Sequence, residues 1–159
     1  MIRVQIVGDK EVITHLKEVP PRVLGLVRQA VMEEAINLVR VVKEEKLTGQ
    51  ILKTKTGTLR RSVSFGLVME DQGLTATVGP NVTYARIHEY GGMTRAHVIQ
   101  ARNKKALAFQ MGGVGLVRKS VQHPGSKMPE RSFLRSSLRE NEARIRAAID
   151  RAVAQGVKG

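Results

Sequence analysis

The sequence predicts an α+β fold: a small antiparallel sheet flanked by a long N-terminal helix and a C-terminal helix. Three observations predict it. Two segments, near 22–46 and 131–154, repeat their apolar residues at three- and four-residue steps. Between them lie short runs that alternate apolar and polar residues, as half-buried strands do. The order helix, strands, helix groups like elements together instead of alternating them. A chain of 159 residues has room for one domain with a modest core, so residues 1–159 are expected to form a single unit.

The elements follow in order. Residues 2–7 alternate as a strand, and Asp9 is placed to cap a helical turn running through Lys17. Pro20-Pro21 suits the start of a helix and not its interior. The first long helix puts Val23, Val27, Ala30, Val31, Ala35, Leu38 and Val42 on one face, with Arg28, Glu33, Arg40, Lys43 and Glu44 opposite. Residues 47–57 are polar, with two glycines, and read as an extended loop. A helical turn at Leu59-Arg60-Arg61 leads into a strand over Val63–Met69. Glu70 to Gly73 turns it back into a second strand, Leu74–Gly79, making a hairpin.

Tyr84–Tyr90 reads as a short helix stopped by Gly91-Gly92. Residues 96–101 and 105–111 are strand candidates, and Leu116–Val121 is another. Gly112 to Gly115 is expected to be flexible, and Pro124, Gly125 and Pro129 to mark an irregular connection, so 111–128 reads as a flexible segment. The final helix places Leu134, Leu138, Ile145, Ile149 and Ala152 on one face and Arg135, Arg139, Arg144, Arg146 and Arg151 on the other.

Composition narrows the function classes. Aromatic residues make up 3% of the chain and tryptophan is absent, so the core rests on aliphatic side chains with less area each. A thin core of this kind favours oligomerisation. The absence of cysteine excludes disulfides, thiolate metal sites and cysteine nucleophiles, and it suits folding in a reducing cytoplasm. The N-terminus lacks a signal-peptide pattern, and no apolar stretch approaches bilayer length, so no membrane partner is expected. The formal net charge is +13. Residues 1–94 hold 13 basic against 10 acidic residues, whereas residues 95–159 hold 14 against 4. A positive block of that size calls for a polyanionic neighbour, either nucleic acid or acidic protein.

Catalytic and metal motifs are missing. His88-Glu89 is half of a zinc-protease motif, but Gly92 stands where the second histidine would fall. His15, His88, His97 and His123 are scattered, and no cofactor is expected. The glycines at 112–115 lack the lysine and hydroxyl of a phosphate loop, and no nucleophile elbow occurs. No catalytic, cofactor or metal site is therefore assigned, and the chain is expected not to be an enzyme. Arginines of the last helix could track phosphates, which keeps a basic nucleic-acid-binding or DNA-packaging accessory protein as the alternative function.

Three segments in order resemble one family. The first is Thr56-Gly57-Thr58-Leu59-Arg60-Arg61-Ser62. The second is Val78-Gly79-Pro80 followed by Tyr84-Ala85-Arg86-Ile87-His88-Glu89-Tyr90-Gly91. The third is Pro129-Glu130-Arg131-Ser132-Phe133-Leu134-Arg135-Ser136-Ser137-Leu138. Together they resemble the tail-completion or minor tail proteins of lambda-like phages and the virion-morphogenesis proteins of Mu-like phages. Ser137 stands where that pattern commonly has alanine.

The resemblance implies a structural virion protein of the head–tail junction, or neck, assembled in the host cytoplasm. It implies a homo-oligomeric ring contacting a tail terminator or tail tube protein on one side and a head-side connector or stopper on the other. Non-specific contact with DNA in the channel would follow. Candidate interaction residues are Arg60, Arg61, Tyr84, Glu89, Tyr90, Arg131, Phe133, Arg135 and Arg139. Tyr84 is expected to pack in the core in preference to an interface. Glu89, the lone acid of a basic stretch, is expected to pair with an arginine such as Arg131 or to stand in solvent. Residues 47–57 and 112–115 are expected to order on assembly.

Overall fold

The computed structural model describes residues 4–6, 21–70, 73–102 and 105–158. The expected helical turn from Asp9 to Lys17 lies outside them, and of the expected first strand they include β1, Val4–Ile6.

Helix α1 spans Pro21–Val41 and starts on the proline favoured at a first helical position. Its winding then loosens into a π-helical stretch, Val42–Gln50, broken at Gly49 (φ 137°), so the helix runs only a residue or two past Lys46 into residues expected to be loop. The apolar side chains of the expected face point inward: Val23, Val31, Ala35, Leu38 and Val42 are buried, and Val27 packs beside them. Irregular chain over 51–57 leads into α2, Thr58–Ser62, a short turn of helix.

Strands β2, Val63–Glu70, and β3, Gly73–Pro80, form the expected hairpin. They pair antiparallel from Val63 opposite Pro80 to Glu70 opposite Gly73. β1 adds to the other edge of β3, giving the order β1-β3-β2. Alternation along β3 buries Ala76, Val78 and Pro80 against the helices. Helix α3, Ala85–Tyr90, follows the sheet, and helix α4, Leu134–Val157, closes the chain against α1.

The two long helices run antiparallel. Gly156 near the end of α4 lies against Val23 near the start of α1, while Glu34 meets Arg144 and Lys46 meets Glu140 further along. Lys46 is 2% exposed, and its stem lies in the core while its Nζ donates to both Glu140 carboxylate oxygens at 2.7 and 3.0 Å. Phe133 is the aromatic member of the core cluster, which also holds Ala35, Leu38, Val63 and Ala85.

Residues 92–128 form something other than the expected separate strands with a flexible end. The strands β4 (Gly92–Met93), β5 (His97–Gln100), β6 (Leu107–Met111), β7 (Val114–Arg118), β8 (Ser120–His123) and β9 (Lys127–Met128) pair as nested antiparallel ladders. β4 pairs β9, β5 pairs β8 and β6 pairs β7, so the whole stretch is one two-stranded ribbon. Its tip is a two-residue turn at Gly112-Gly113, with φ of 59° and 82°. Positive φ at both central positions is what a type I′ hairpin turn demands. The glycines expected to loosen this segment instead let it fold back tightly. Six residues, 101–106, stand between the β5 and β6 ladders where the returning strand has Lys119 alone, which obscured the pairing in the sequence.

The α1–α4 crossing yields a stability prediction. A Cβ on Gly156 would come within 2.6 Å of Val23 Cγ2 and 2.9 Å of its Cα. Alanine gains about 1 kcal/mol of helix propensity over glycine, but the overpacking costs about 1–3 kcal/mol. Gly156→Ala should therefore lower stability on denaturant unfolding, against the direction propensity alone gives.

Candidate interaction site

Two of the three segments that carry the resemblance meet at Glu89. Its carboxylate is completely buried. Oε2 accepts the backbone N–H groups of Phe133 and Leu134 at 2.8 and 2.9 Å. Oε1 accepts the Ser132 hydroxyl at 2.8 Å, the Arg135 N–H at 3.0 Å and the Arg135 Nε at 3.2 Å. The first turn of α4 thus has its free N–H groups satisfied by a side chain more than forty residues earlier. The negative charge also sits at the positive end of the α4 dipole. Glu89 thus pairs with an arginine as expected, but with Arg135 in place of Arg131, and it does not stand in solvent, because Arg135 and the helix start occupy its oxygens.

Burial pushes the Glu89 carboxyl up, but hydrogen bonds from Leu134, Arg135, Ser132 and Phe133 outweigh it and hold the group below its ordinary value of 4.5. Arg135 is tied on three sides. Its Nη2 donates to the Glu89 carbonyl at 3.2 Å and to Glu130 at 2.6 Å, and its guanidinium lies 4.5 Å over the Tyr90 ring. Gly91, at φ 68°, brings the chain so close that a Cβ would lie 2.8 Å from the Glu130 nitrogen. Arg131 N–H donates to the His88 carbonyl at 2.8 Å, a further strap between α3 and the chain entering α4.

The expected interaction residues divide accordingly. Glu89 and Phe133 are buried and hold the body together. Tyr84 is 44% exposed and Tyr90 48%, which corrects the core role expected for Tyr84: its ring meets the His88 ring edge-on at 6.1 Å beside a cleft. Arg60, Arg61, Arg131 and Arg139 are exposed, and none forms an ion pair among the described residues. The cleft, of about 580 Å³, lies between the end of the π-helical stretch, residues 51–57, α2 and α3, with Arg60, Tyr84, His88 and Arg131 on its walls. Burial, and after it the charge of Arg131, lowers the His88 pKa from 6.5, leaving a neutral imidazole at pH 7. Its buried Nδ1 has no hydrogen-bond partner among the described residues.

The ribbon lies in the basic second half from which the sequence predicts a polyanionic neighbour, but its two-stranded architecture is not evident there. None of its described residues is buried. Met93, Met111, Val114 and Val117 are each at least 60% exposed, and Val98 and Ile99 join them. Residues 92–128 hold seven basic residues and no acidic one. The basic excess of the second half was the available signal. Its concentration on a projecting ribbon depended on a long-range register.

The Glu89 hub sets a pH prediction. A depressed folded-state pKa gives stability that is present above the unfolded pKa and lost as pH falls through the folded one. Glu89→Gln should cost about 3 kcal/mol at neutral pH, as removing one partner of a buried charge network does. The gap between the two proteins should narrow as pH drops below 4.5. Urea unfolding at stepped pH values measures it, and a gap independent of pH would count against the buried anionic cap.

Among the described residues no helix is long and apolar enough to cross a membrane. No curated protein and no solved structure matches the chain significantly. The family model for phage virion morphogenesis proteins matches residues 35–154, which takes in α1 from Ala35, the sheet hairpin, the Glu89 hub, the ribbon and nearly all of α4. The chain is a bacteriophage virion protein and belongs to the phage virion morphogenesis family.

Proposed function

We propose that this protein is a subunit of the head–tail junction that completes the tail and joins it to the head connector, assembling with copies of itself in a ring. The ribbon of residues 92–128 carries this reading. An isolated two-stranded ribbon has little stability of its own in water, because neither face is covered. This one also exposes aliphatic and methionine side chains along its length, which soluble monomers seldom do over a contiguous surface. A neighbour that covers the ribbon removes both costs. Its positive charge selects a neighbour of opposite sign, such as an acidic face of a tail terminator, tail tube or head-side stopper protein. The subunit works by docking, with no chemical step.

A second reading is favoured by one observation: the ribbon is basic, free of acidic residues and two-stranded. A ribbon of that width fits the major groove of DNA. The proposed role confines this to non-specific contact with DNA in the channel.

Two measurements test the proposal. In a shortened variant, Asn-Gly replaces residues 102–118, so that β5 and β8 close in a two-residue turn. The helices and Glu89 hub should be kept, with unchanged far-UV circular dichroism. Native mass spectrometry should show the full chain in oligomers alone or with neck proteins, and the shortened chain in neither. A full chain that stays monomeric with every candidate partner overturns the ring. DNA binding should be weaker than about micromolar at physiological salt and blind to sequence. Tighter, sequence-discriminating binding would favour the nucleic-acid reading.

A further inference from the structure

The cleft beside Tyr84 joins a cluster of cations to an apolar floor. Lys53, Lys55, Arg60 and Arg131 line it, and an adjoining depression adds Lys43 and Arg61. No acidic residue lines either one. Some helix cations have acidic partners, as in Arg40–Glu44, Lys46–Glu140 and Arg144–Glu34, whereas every one of these six cations lacks one among the described residues. Six like charges gathered on one face repel one another, a cost the folded chain bears without an internal counter-charge. The floor is of another kind: Leu47, Ile51, Leu52 and Leu59 supply apolar surface, and the exposed Tyr84 ring stands at the edge.

Charge and floor together specify the ligand. A phosphodiester backbone satisfies the cations and leaves the leucine floor unused. A purely apolar helix does the reverse. An extended peptide in which carboxylates alternate with aliphatic or aromatic side chains fits both, since alternate side chains point to opposite sides. The ribbon of a second copy is excluded as the occupant, because it brings only positive charge. We propose that this cleft is a receptor for an acidic, extended segment of a different protein, anchored by at least one apolar side chain on the leucine floor. Only the identification of that protein as a virion component rests on the assembly reading.

A binding experiment on the full chain tests this. The probes are fluorescein-labelled nine-residue peptides, one alternating Glu and Leu and one alternating Glu and Ser, with an oligothymidylate of equal length. Two charge-matched variants are compared by fluorescence anisotropy: Lys53→Glu with Arg60→Glu in the cleft, and Arg139→Glu with Arg151→Glu on α4. Circular dichroism establishes that both are folded. The Glu/Leu peptide should bind more tightly than the Glu/Ser peptide. The cleft variant should weaken it at least ~10-fold, as losing close opposite-charge pairs does, while the α4 variant changes it less than ~2-fold.

Equal weakening by the two variants would reduce the effect to net charge and overturn the proposal. So would absence of Glu/Leu binding, or oligothymidylate binding in the cleft more tightly than the peptide. The ribbon-shortened chain separates this inference from the assembly reading. It should retain peptide binding while losing oligomers. In the shortened chain, lost peptide specificity together with lost oligomers sinks the cleft alone, and retained specificity with oligomers intact sinks the ribbon alone.

Discussion

A single buried carboxylate fixes the geometry on which the rest of this molecule depends. Removing a charged group from water costs several kcal/mol, and it persists only where several donors and an opposite charge repay it. Glu89 has both: three backbone N–H groups of the α4 start, a hydroxyl and the Arg135 guanidinium. A carboxylate that must satisfy five donors has one position and one orientation. α3 is therefore locked to the start of α4, and α4 in turn lies along α1. The last residue of α3 is Tyr90 and β4 begins at Gly92, while β9 ends at Met128, so the ribbon leaves the body at the hub and returns to it. The same bonds that start a helix set the root of the arm.

The charge distribution makes sense in these terms. The body neutralises what it buries: Glu34 with Arg144, Lys46 with Glu140, Glu89 with Arg135. Among the described residues it leaves unpaired the exposed cations of the cleft, the ribbon and parts of the long helices, Arg139 and Arg151 included, which cost little to solvate in the free chain. Internal pairing serves the fold, and the leftover positive charge is the part open to other molecules. With Phe133 the one aromatic residue in its core cluster, the body has little apolar area to spare, yet large apolar side chains stand exposed on the ribbon. Apolar surface kept outside an already thin core argues that something outside the chain uses it.

The two long helices and the β2–β3 hairpin were legible in the sequence because their signals are local. Val23 to Val42 repeat at helical steps, and Leu74 to Gly79 alternate. The helix runs slightly past its expected end because Lys46, which periodicity counts as polar, and Leu47 are both buried, and it breaks at Gly49, whose φ is 137°. Glu89 was misread for a related reason. A capping residue is sought beside the helix it caps, and the residue that caps α4 lies 44 positions before Phe133. The ribbon was seen as fragments, since the six residues between β5 and β6 face one on the return strand and no local rule bridges that mismatch. Ser132, Tyr84 and the cleft cations were visible as residues, but their convergence was not.

The hub and the ribbon make different demands on one stretch of chain, and their arrangement reconciles them. A docking arm that is stiff along its whole length pays little entropy on binding but needs a core of its own. A loose arm needs no core and pays that entropy in full. Here the root is held by Gly91, packed against Glu130, and by paired β4 and β9, while the tip is held by a two-residue turn. Between those fixed ends the ladders restrict the backbone to a ribbon without burying a residue. In the proposed assembly, much of the ordering cost of association would thus be met before a neighbour arrives, at the expense of exposed apolar side chains in the free chain.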